Sequence, residues 1–431
     1  MKKKIALMLA CLMASTALFA CGPKEKEANN QAEKETAVVA EDTIEEAAVE
    51  KQAGTAPTYA ITSVTADGYE FYAGFQECIQ ITDSDHEELK KSLEEFFNGM
   101  VSNFNEGIDA LNEEAKGINK DQKEYAEEQG LEYEPIKYID NNSVNVVRAD
   151  DKIISFTVAS YMDRGGAHGS TVYSGYTFDV NTGKQLTLEN FGDKDKIVEV
   201  SKAYILSIIE ESDDSAKEML YNDEVTSYKS AIDETFSNGY TPEYVIDNRG
   251  IRFYFQPYDI APYAAGLISF NVPFYAIDGF NEEYIPVDEF YTFQLSALGL
   301  IDKIDVDNDG ELDTVSVTNE LTDEGGDGLY HVNVKDKSVK QITSDYANIS
   351  ASYVHSKEGN FIIVECYGKS VTAYEVSNGI KEVGTIELDD ETKTIKEIKD
   401  GELVIATATY EDENIKWGEA ETHTFTKNSF N

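Results

Sequence analysis

The sequence predicts an α+β fold in which an antiparallel sheet packs on helices, followed by a separate all-β domain. Three observations support this prediction. Between residues 85 and 111, apolar residues recur at steps of three and four, the period of a helix with one buried face. From residue 144 the period changes to two, which is typical of half-buried strands. After residue 296 no helical period recurs, and short apolar runs alternate with polar turns.

The first domain begins with two strands, 59–65 and 70–82, on either side of the turn-forming pair Asp67-Gly68. Asp85 is the expected N-cap of the long helix, with Glu88 three residues later, and the apolar face of the helix runs from Leu89 to Leu111. Further elements follow in order: strands around residues 144, 156 and 176, a helix over 196–211, a shorter helical stretch to 236, a hairpin over 243–255 and a strand over 267–273.

Changes in composition divide the 431 residues into five segments. Residues 1–20 read as an export signal, 21–57 as a polar tether too poor in large apolar residues to fold, and the rest as three domains. The domain boundaries are 58–184 for the first α+β domain, 185–295 for a partner domain packed with it, and 296–431 for the all-β domain.

The N-terminus predicts where the protein is located. A basic stretch, Lys2-Lys3-Lys4, precedes an apolar run over residues 5–19 that is too short for a comfortable membrane span. The run ends in Ala20-Cys21, and this region resembles the lipobox of bacterial lipoproteins. The resemblance implies that Cys21 carries lipid and that the exported protein is held to the membrane of the cell envelope. The alternative is an ordinary signal peptide with an incidental cysteine.

The charge of the chain limits its partners. Lys plus Arg number 36 and Asp plus Glu number 82, so the formal net charge is −46. Such a surface repels nucleic-acid phosphates, and we expect no nucleic-acid partner. It would attract cationic proteins or hard metal ions, although it would equally serve solubility alone.

The stretch Tyr161-Met162-Asp163-Arg164-Gly165-Gly166-Ala167-His168-Gly169 places three glycines around one histidine. Such a loop could expose His168 as a general base, which would suit an envelope hydrolase or glycan-modifying enzyme. No serine or cysteine nucleophile motif accompanies it, and Cys78 and Cys366 lack the neighbours of a nucleophile or the spacing of metal ligands. We therefore favour a histidine held in a tight turn by backbone hydrogen bonds, and expect no catalytic residues.

A second candidate site is the acidic loop from Asp305 to Asp313. Carboxylates at alternating positions, followed by a glycine where the loop must turn, suit an oxygen cage for Ca²⁺. The loop is not a full EF-hand, because Ser316 stands where the bidentate glutamate belongs. The expected metal ligands are the side chains of four aspartates and the carbonyl of one glutamate: Asp305, Asp307, Asp309, Asp313 and Glu311. The alternative is an acidic, solvated hairpin.

Residues from about 59 to 286 resemble the extracellular part of RsiV-type anti-sigma factors and the N-terminal region of the peptidoglycan deacetylase PdaC. In that region a PdaC-type domain is followed by a partner domain of unknown function. The matching residues form two groups: Tyr161, Gly165-Gly166-Ala167-His168, Tyr176, Asp179 and Thr182-Gly183-Lys184, then Phe255, Tyr258, Ala261-Pro262-Tyr263 and Gly266.

This resemblance implies an α+β fold and, for RsiV-type members, binding of lysozyme. We identify neither a sigma-binding segment with a transmembrane helix nor a deacetylase domain with metal-binding histidines, so we expect neither of those activities. The sequence thus predicts a lipid-anchored, non-enzymatic binding module for a lysozyme-like protein or a cell-wall glycan such as peptidoglycan. The expected ligand-binding residues are Tyr161, His168, Tyr176, Tyr258 and Tyr263.

Overall fold

The computed structural model describes residues 54–66, 68–222, 227–237, 239–286, 290–296, 299–321, 327–344, 349–411 and 414–431. The predicted export signal, the lipidation site Cys21, the tether up to residue 53 and Asp67 of the first turn lie outside these residues. Within them, no helix has both the length and the apolar character needed to cross a bilayer.

The first domain is a five-stranded sheet in the order β1-β2-β3-β4-β5, with one long helix. Its elements are β1 (Tyr59–Thr65), β2 (Tyr72–Ile81), α1 (Glu87–Gln129), β3 (Tyr138–Ala149), β4 (Ile153–Asp163) and β5 (Ser170–Asp179). All neighbouring strands are antiparallel except β2 and β3, which are parallel. The parallel pair follows from the connection, because α1 carries the chain back along the sheet as a crossover.

The core of this domain lies between α1 and the sheet, as predicted. Leu89, Leu93 and Phe97 of α1 are buried against residues of alternating strand positions. The sheet side of this core consists of Ile79, Ile81, Val144, Ile154, Phe156, Val158 and Phe178. A second cluster, around Phe104 and Ile108, continues the contact along the same helix.

Both ends of α1 differ from the prediction. The helix begins at Glu87, and its N-cap residue is His86 in place of the expected Asp85. The Asp83 carboxylate shapes the turn before the helix by accepting from the N–H groups of Asp85 and His86. At the other end α1 continues well past the apolar face to Gln129, and stops at Gly130 with φ of 63°. The last turns lack large apolar residues because a buried amide, Asn119, anchors them.

Among its described residues, the partner domain has four α-helices, three short 3₁₀ helices and a three-stranded antiparallel sheet in the order β6-β7-β8. Its elements are α2 (Leu188–Phe191), α3 (Lys194–Glu211), α4 (Asp214–Glu218), α5 (Tyr228–Thr235), β6 (Glu243–Ile246), β7 (Gly250–Phe255) and β8 (Ile268–Pro273). The predicted 196–211 helix and 243–255 hairpin are thus present. Ile205 and Ile209 of α3 pack on Phe253 and Phe255 of β7 in one buried cluster.

The remaining chain contains only strands among its described residues, as the sequence predicts. These strands are β9 (Tyr291–Gln294), β10 (Asp302–Ile304), β11 (Asp313–Leu321), β12 (Asp327–Val334), β13 (Lys337–Ser344), β14 (Ile349–Ser356), β15 (Gly359–Cys366), β16 (Ser370–Glu375), β17 (Lys381–Glu387), β18 (Lys393–Lys399), β19 (Glu402–Glu411), β20 (Asn414–Thr426) and β21 (Ser429–Phe430).

These strands form three antiparallel sheets, in the orders β10-β11-β12-β13, β17-β16-β15-β14-β9 and β18-β19-β20-β21. β9 precedes residue 296, at which the sequence places the start of the all-β domain, yet it pairs with β14 of that domain. The sequence did not predict this strand, because four residues are too few to show a strand period. Cys78, which is half-buried, and Cys366, which is buried, are both free thiols.

Asn119 provides a test of how the end of α1 is held. Its amide nitrogen donates to the carbonyl oxygens of Ala115 and Ile136 (2.9 and 2.7 Å), and its amide oxygen accepts from Ile136 N–H and the Tyr133 hydroxyl (2.7 and 2.8 Å). Asn119→Leu leaves the partly buried backbone N–H and carbonyl of Ile136 without these partners, so we expect a loss of about 2–3 kcal/mol in unfolding free energy.

Urea denaturation followed by circular dichroism measures this loss. The matched control is Asn105→Leu, at an exposed position on the same helix, where we expect a change below about 0.5 kcal/mol. Equal unfolding midpoints for the two variants would show that the Asn119 hydrogen bonds do not hold this end of the helix.

Candidate functional site

The loop between β4 and β5, predicted to hold the site, is fixed to the sheet by Arg164. Its Nη2 lies 2.7 and 2.8 Å from the two carboxylate oxygens of Asp140, and its Nη1 donates to the carbonyl of Ile139. Gly165 then turns the chain with φ of 72°, and its N–H donates to the Asp163 carboxylate (2.7 Å). A bidentate arginine–carboxylate pair and a glycine in the left-handed region thus give the loop one defined path.

His168 lies exposed at the end of this loop, and both of its nitrogens have partners. Nδ1 is 2.7 Å from the Gly169 carbonyl oxygen, and Nε2 is 3.1 Å from the Tyr258 hydroxyl. A carbonyl oxygen can only accept, so Nδ1 carries the proton, and in the neutral ring Nε2 accepts from Tyr258. The ring also stacks on Tyr263, with centroids 3.8 Å apart and planes 21° apart.

Tyr258 and Tyr263 come from the partner domain, in the segment between β7 and β8. The Tyr263 hydroxyl donates to the same Gly169 carbonyl (2.7 Å), which therefore accepts two hydrogen bonds. The rings of the two tyrosines lie 5.6 Å apart. His168, Tyr258 and Tyr263 thus form one surface group, which we call the aromatic cluster.

The backbone at Tyr258 is strained. Its φ is 76°, a region that costs a bulky side chain free energy, and its side chain is 54% exposed. The turn around it is closed by the Asp259 carboxylate, which accepts from Gln256 N–H (2.7 Å), and by Asp259 N–H, which donates to the Gln256 carbonyl. Strain at an exposed aromatic side chain is typical of functional surfaces, because it fixes the side chain before a ligand arrives.

Tyr161 supports the aromatic cluster from behind. Its ring lies against Gly169 so closely that a Cβ there would overlap the ring, and its hydroxyl is 3.4 Å from the Asp163 carboxylate. The structure therefore brings four of the five predicted ligand-binding residues together: Tyr161, His168, Tyr258 and Tyr263.

Tyr176, the fifth predicted residue, lies elsewhere. Its ring centroid is 4.7 Å from that of Phe96 and 5.6 Å from that of Phe156, and its environment raises the pKa of its hydroxyl, with burial as the main cause. The prediction placed it in the site because it is one of the residues that carry the family resemblance. The alternation of β5 instead turns Tyr176 towards the core beneath α1.

Gln256 joins the two domains at the edge of the first sheet, and sequence reasoning missed it. Its amide oxygen accepts from Tyr173 N–H and its amide nitrogen donates to the Tyr173 carbonyl, both at 2.9 Å. The side chain thus replaces a neighbouring strand at this point of β5. Two residues after Tyr173, the N–H of Gly175 donates to the Glu243 carboxylate (3.0 Å). No local sequence pattern marks side chains that act in this way.

The acidic loop brings three predicted metal ligands together. Side-chain oxygens of Asp305, Asp307 and Asp313 lie within 4.8 Å of one another. Asp305 accepts from the N–H groups of Asp309 and Gly310 (3.1 and 3.0 Å), which fixes the curve of the loop. Of the other two predicted ligands, Asp309 accepts from the N–H of Glu311 (2.8 Å), and Glu311 is exposed.

Lys335 lies among these carboxylates, and the sequence did not predict it. Its Nζ is 2.7 Å from Asp307 Oδ2 and 2.8 Å from Asp313 Oδ1, and its φ of 56° is unusual for a lysine. The hydrogen bond from Lys335 lowers the pKa of the Asp307 carboxyl, and the same bond raises the pKa of Lys335. The oxygen-rich donor set fits a hard cation, and a bound cation would have to displace this ammonium group.

Two family models match parts of the chain. Residues 77–171 match the one described as Deacetylase PdaC, and residues 191–275 match the one described as Protein of unknown function (DUF3298). The chain therefore contains the PdaC-type domain and the partner domain of unknown function that the sequence resemblance predicts. A search of curated proteins gave no match.

Two solved structures of DUF3298 family proteins are similar to part of the chain. One, from Bacteroides fragilis, is 15% identical with a TM-score of 0.40, and the match covers 53% of this chain and 95% of that one. The other, from Pseudomonas aeruginosa, is 13% identical with a TM-score of 0.31, and covers 54% of this chain and 95% of that one.

The Gln256 contact gives a prediction about the junction of the two domains. Gln256→Glu keeps the size of the side chain but removes the amide donor, which leaves the Tyr173 carbonyl facing a carboxylate. We expect faster hydrogen exchange in the β5 peptide and a loss of about 1–3 kcal/mol in stability.

Hydrogen-exchange mass spectrometry compares this variant with Gln122→Glu, which adds the same charge at an exposed position of α1. We expect no change in β5 exchange for Gln122→Glu. If both variants leave β5 exchange unchanged, Gln256 does not hold the strand edge.

Proposed function

We propose, from the premise that the chain contains PdaC-type and DUF3298-type domains, that it is a cell-surface lipoprotein acting as a non-enzymatic binding module for an envelope ligand. The two domain matches suggest a cell-envelope-associated protein. The observation that carries the proposal is the aromatic cluster, an exposed and rigid surface group to which both domains contribute. Tyrosine and histidine rings offer flat contact area at little cost in side-chain entropy.

The contacts of His168 favour binding over catalysis. One ring nitrogen donates to a backbone carbonyl and the other accepts from a tyrosine hydroxyl. A general base needs a free, unprotonated nitrogen and a nucleophile within its reach, and Nε2 is already bound by the Tyr258 hydroxyl. A hydrolase that uses His168 remains the competing function, and binding and turnover measured on the same wall material separate the two.

The ligand is a lysozyme-like protein or a cell-wall glycan. The net charge of −46 favours a cationic protein, since complementary charge speeds encounter and selects partners. The exposed ring of Tyr258, beside the half-buried ring of Tyr263, suits the apolar face of a sugar as well as a protein surface. Lipid on Cys21 would hold the module to the outer face of the membrane, with the tether as a spacer.

The aromatic cluster is tested by binding to immobilised lysozyme and to purified peptidoglycan. We expect Tyr258→Ala and His168→Ala to weaken binding by about tenfold or more, as for central aromatic contacts. Tyr240→Ala is the matched control, because Tyr240 is a 73% exposed tyrosine of the same domain outside the cluster, and its affinity should stay within about twofold.

Release of soluble fragments from the wall material is measured in the same samples. Turnover that His168→Ala abolishes would replace the binding proposal with the hydrolase. Binding that neither cluster variant weakens would place the ligand site elsewhere.

We also propose that the acidic loop binds Ca²⁺ and thereby stiffens the all-β domain. The support is the group of three converging carboxylates on a loop that is already curved by its own hydrogen bonds. Asp305, Asp307 and Asp313 would supply side-chain oxygens, with Asp309 and the Glu311 carbonyl completing the shell.

Calcium should raise the thermal unfolding midpoint at about millimolar concentration, the affinity range of extracellular calcium modules, and EDTA should reverse the shift. In Lys335→Met the competing ammonium is absent, so the midpoint without calcium should fall and the shift with calcium should grow. Lys337→Met, at an exposed position two residues away, should behave like the unchanged protein. A midpoint that millimolar calcium leaves unmoved in both the unchanged chain and Lys335→Met contradicts this proposal.

A further inference from the structure

A cleft of about 650 Å³ lies where three sheets meet. Its walls come from β3, β4 and β5 of the first domain, from β7 and β8 of the partner domain, and from β9 with the residues after it. This volume falls in the range of small-molecule sites, which are common at domain interfaces. The cleft shares no residue with the aromatic cluster.

Arg252 lines this cleft and has a hydrogen-bond donor that the described residues do not use. The residue is 8% exposed; its Nε donates to Asp247 (3.0 Å) and its Nη1 to Ser269 Oγ (3.4 Å). Its buried Nη2 has no partner among the described residues. A buried N–H without an acceptor is costly, so an oxygen held in the adjacent cleft would stabilise the guanidinium.

The charges in the cleft wall already neutralise one another. The Asp247 carboxylate accepts hydrogen bonds from Arg252 and from the side-chain amide of Asn271 (2.8 and 2.9 Å). The other carboxylate in the wall, Asp302, is 3.2 Å from Arg249. A charged ligand would therefore find no free counter-charge here and would lose its hydration, which disfavours both anions and cations.

The other wall groups are aliphatic, such as Val147 and Leu267, or neutral and polar, or aromatic. Asn145 and Gln294 have exposed side chains, and in the described part of the chain no hydrogen bond is assigned to either amide. The rings of Tyr173 and Tyr254 lie nearly parallel, 11° apart, and burial raises the pKa of Tyr254 to about 12, so its hydroxyl stays neutral. Amides and hydroxyls beside an aromatic face match a ligand with many hydroxyl groups and an apolar ring face.

We infer that this cleft binds a short neutral saccharide, whose hydroxyl groups bond to Asn145, Gln294 and Arg252 and whose ring packs on Tyr173. The inference goes beyond the proposed function, because the cleft and the aromatic cluster are separate sites. A ligand can occupy either one while the other is disabled.

Titration calorimetry of the full chain with cellobiose, maltose and N,N′-diacetylchitobiose tests the site. We expect at least one of these neutral disaccharides to bind with a dissociation constant of about 1 mM or below. Asn145→Leu and Gln294→Leu should each weaken that binding about fivefold or more by removing hydrogen bonds to the sugar. Both positions are exposed, so neither change should affect folding.

Two control variants test whether the bound sugar occupies this cleft. Gln185→Leu changes an exposed glutamine outside the cleft, and Tyr258→Ala disables the aromatic cluster; both should leave disaccharide binding within about twofold. Digalacturonate, an anionic disaccharide, should bind about tenfold more weakly, because the cleft has no free cation.

The inference is overturned if none of the three neutral disaccharides binds, which would mean that water alone satisfies Arg252. It is also overturned if Asn145→Leu and Gln294→Leu bind as tightly as Gln185→Leu, or if digalacturonate binds more tightly than the neutral sugars. Disaccharide binding lost in Tyr258→Ala but kept in the cleft variants would assign the sugar to the aromatic cluster instead.

Discussion

The junction of the three sheets depends on the buried residue Asp247. Its carboxylate closes the turn between β6 and β7 by accepting from the N–H groups of Arg249 and Gly250, and it also binds Arg252 and Asn271. Arg148 of β3 donates to the backbone carbonyl of the same residue. A buried carboxylate is tolerated only when its oxygens are fully engaged. Here its partners all belong to the β6-β7-β8 sheet, and the backbone carbonyl makes the contact with the first sheet.

The same turn extends its contacts to the all-β domain through an aromatic side chain. The guanidinium of Arg249 lies 3.4 Å from the ring centroid of Phe293 in β9, and its Nη2 pairs with Asp302. Hydrogen bonds require a defined geometry, so these contacts set how the sheets meet. Apolar packing then fills the space between the sheets. The cleft is what remains where three twisted sheets cannot close completely on one another.

Much of the fold followed from periodicity, because periodicity reports which face of an element is buried. This periodicity is present in the apolar face of α1 from Leu89, in the strand around Phe156 and in the hairpin over 243–255. The C-terminal end of α1 shows no such periodicity. It is held by the hydrogen bonds of one buried amide, that of Asn119. The strand β9 is too short for any period to appear.

The candidate site was predictable only in part. The glycine-rich stretch around His168 and the motif at Tyr258 were both identified in the sequence, and the structure places them in one cluster. Tyr176 was misplaced because membership in a matching motif does not say which side of a strand a residue takes. The contacts of Gln256 and Lys335 could not be found, because each depends on groups brought together from distant parts of the chain.

The parallel pairing of β2 with β3 also determines the order in which the first domain can fold. Tyr72 pairs with Tyr138 across the whole of α1, so this contact closes a long loop and has a high contact order. The helix depends on local contacts and can form first, which shortens the distance that the two strands must close. Until then β2 has only β1 beside it, and its other edge is open to other chains. A newly synthesised chain is therefore most exposed to aggregation before α1 has formed.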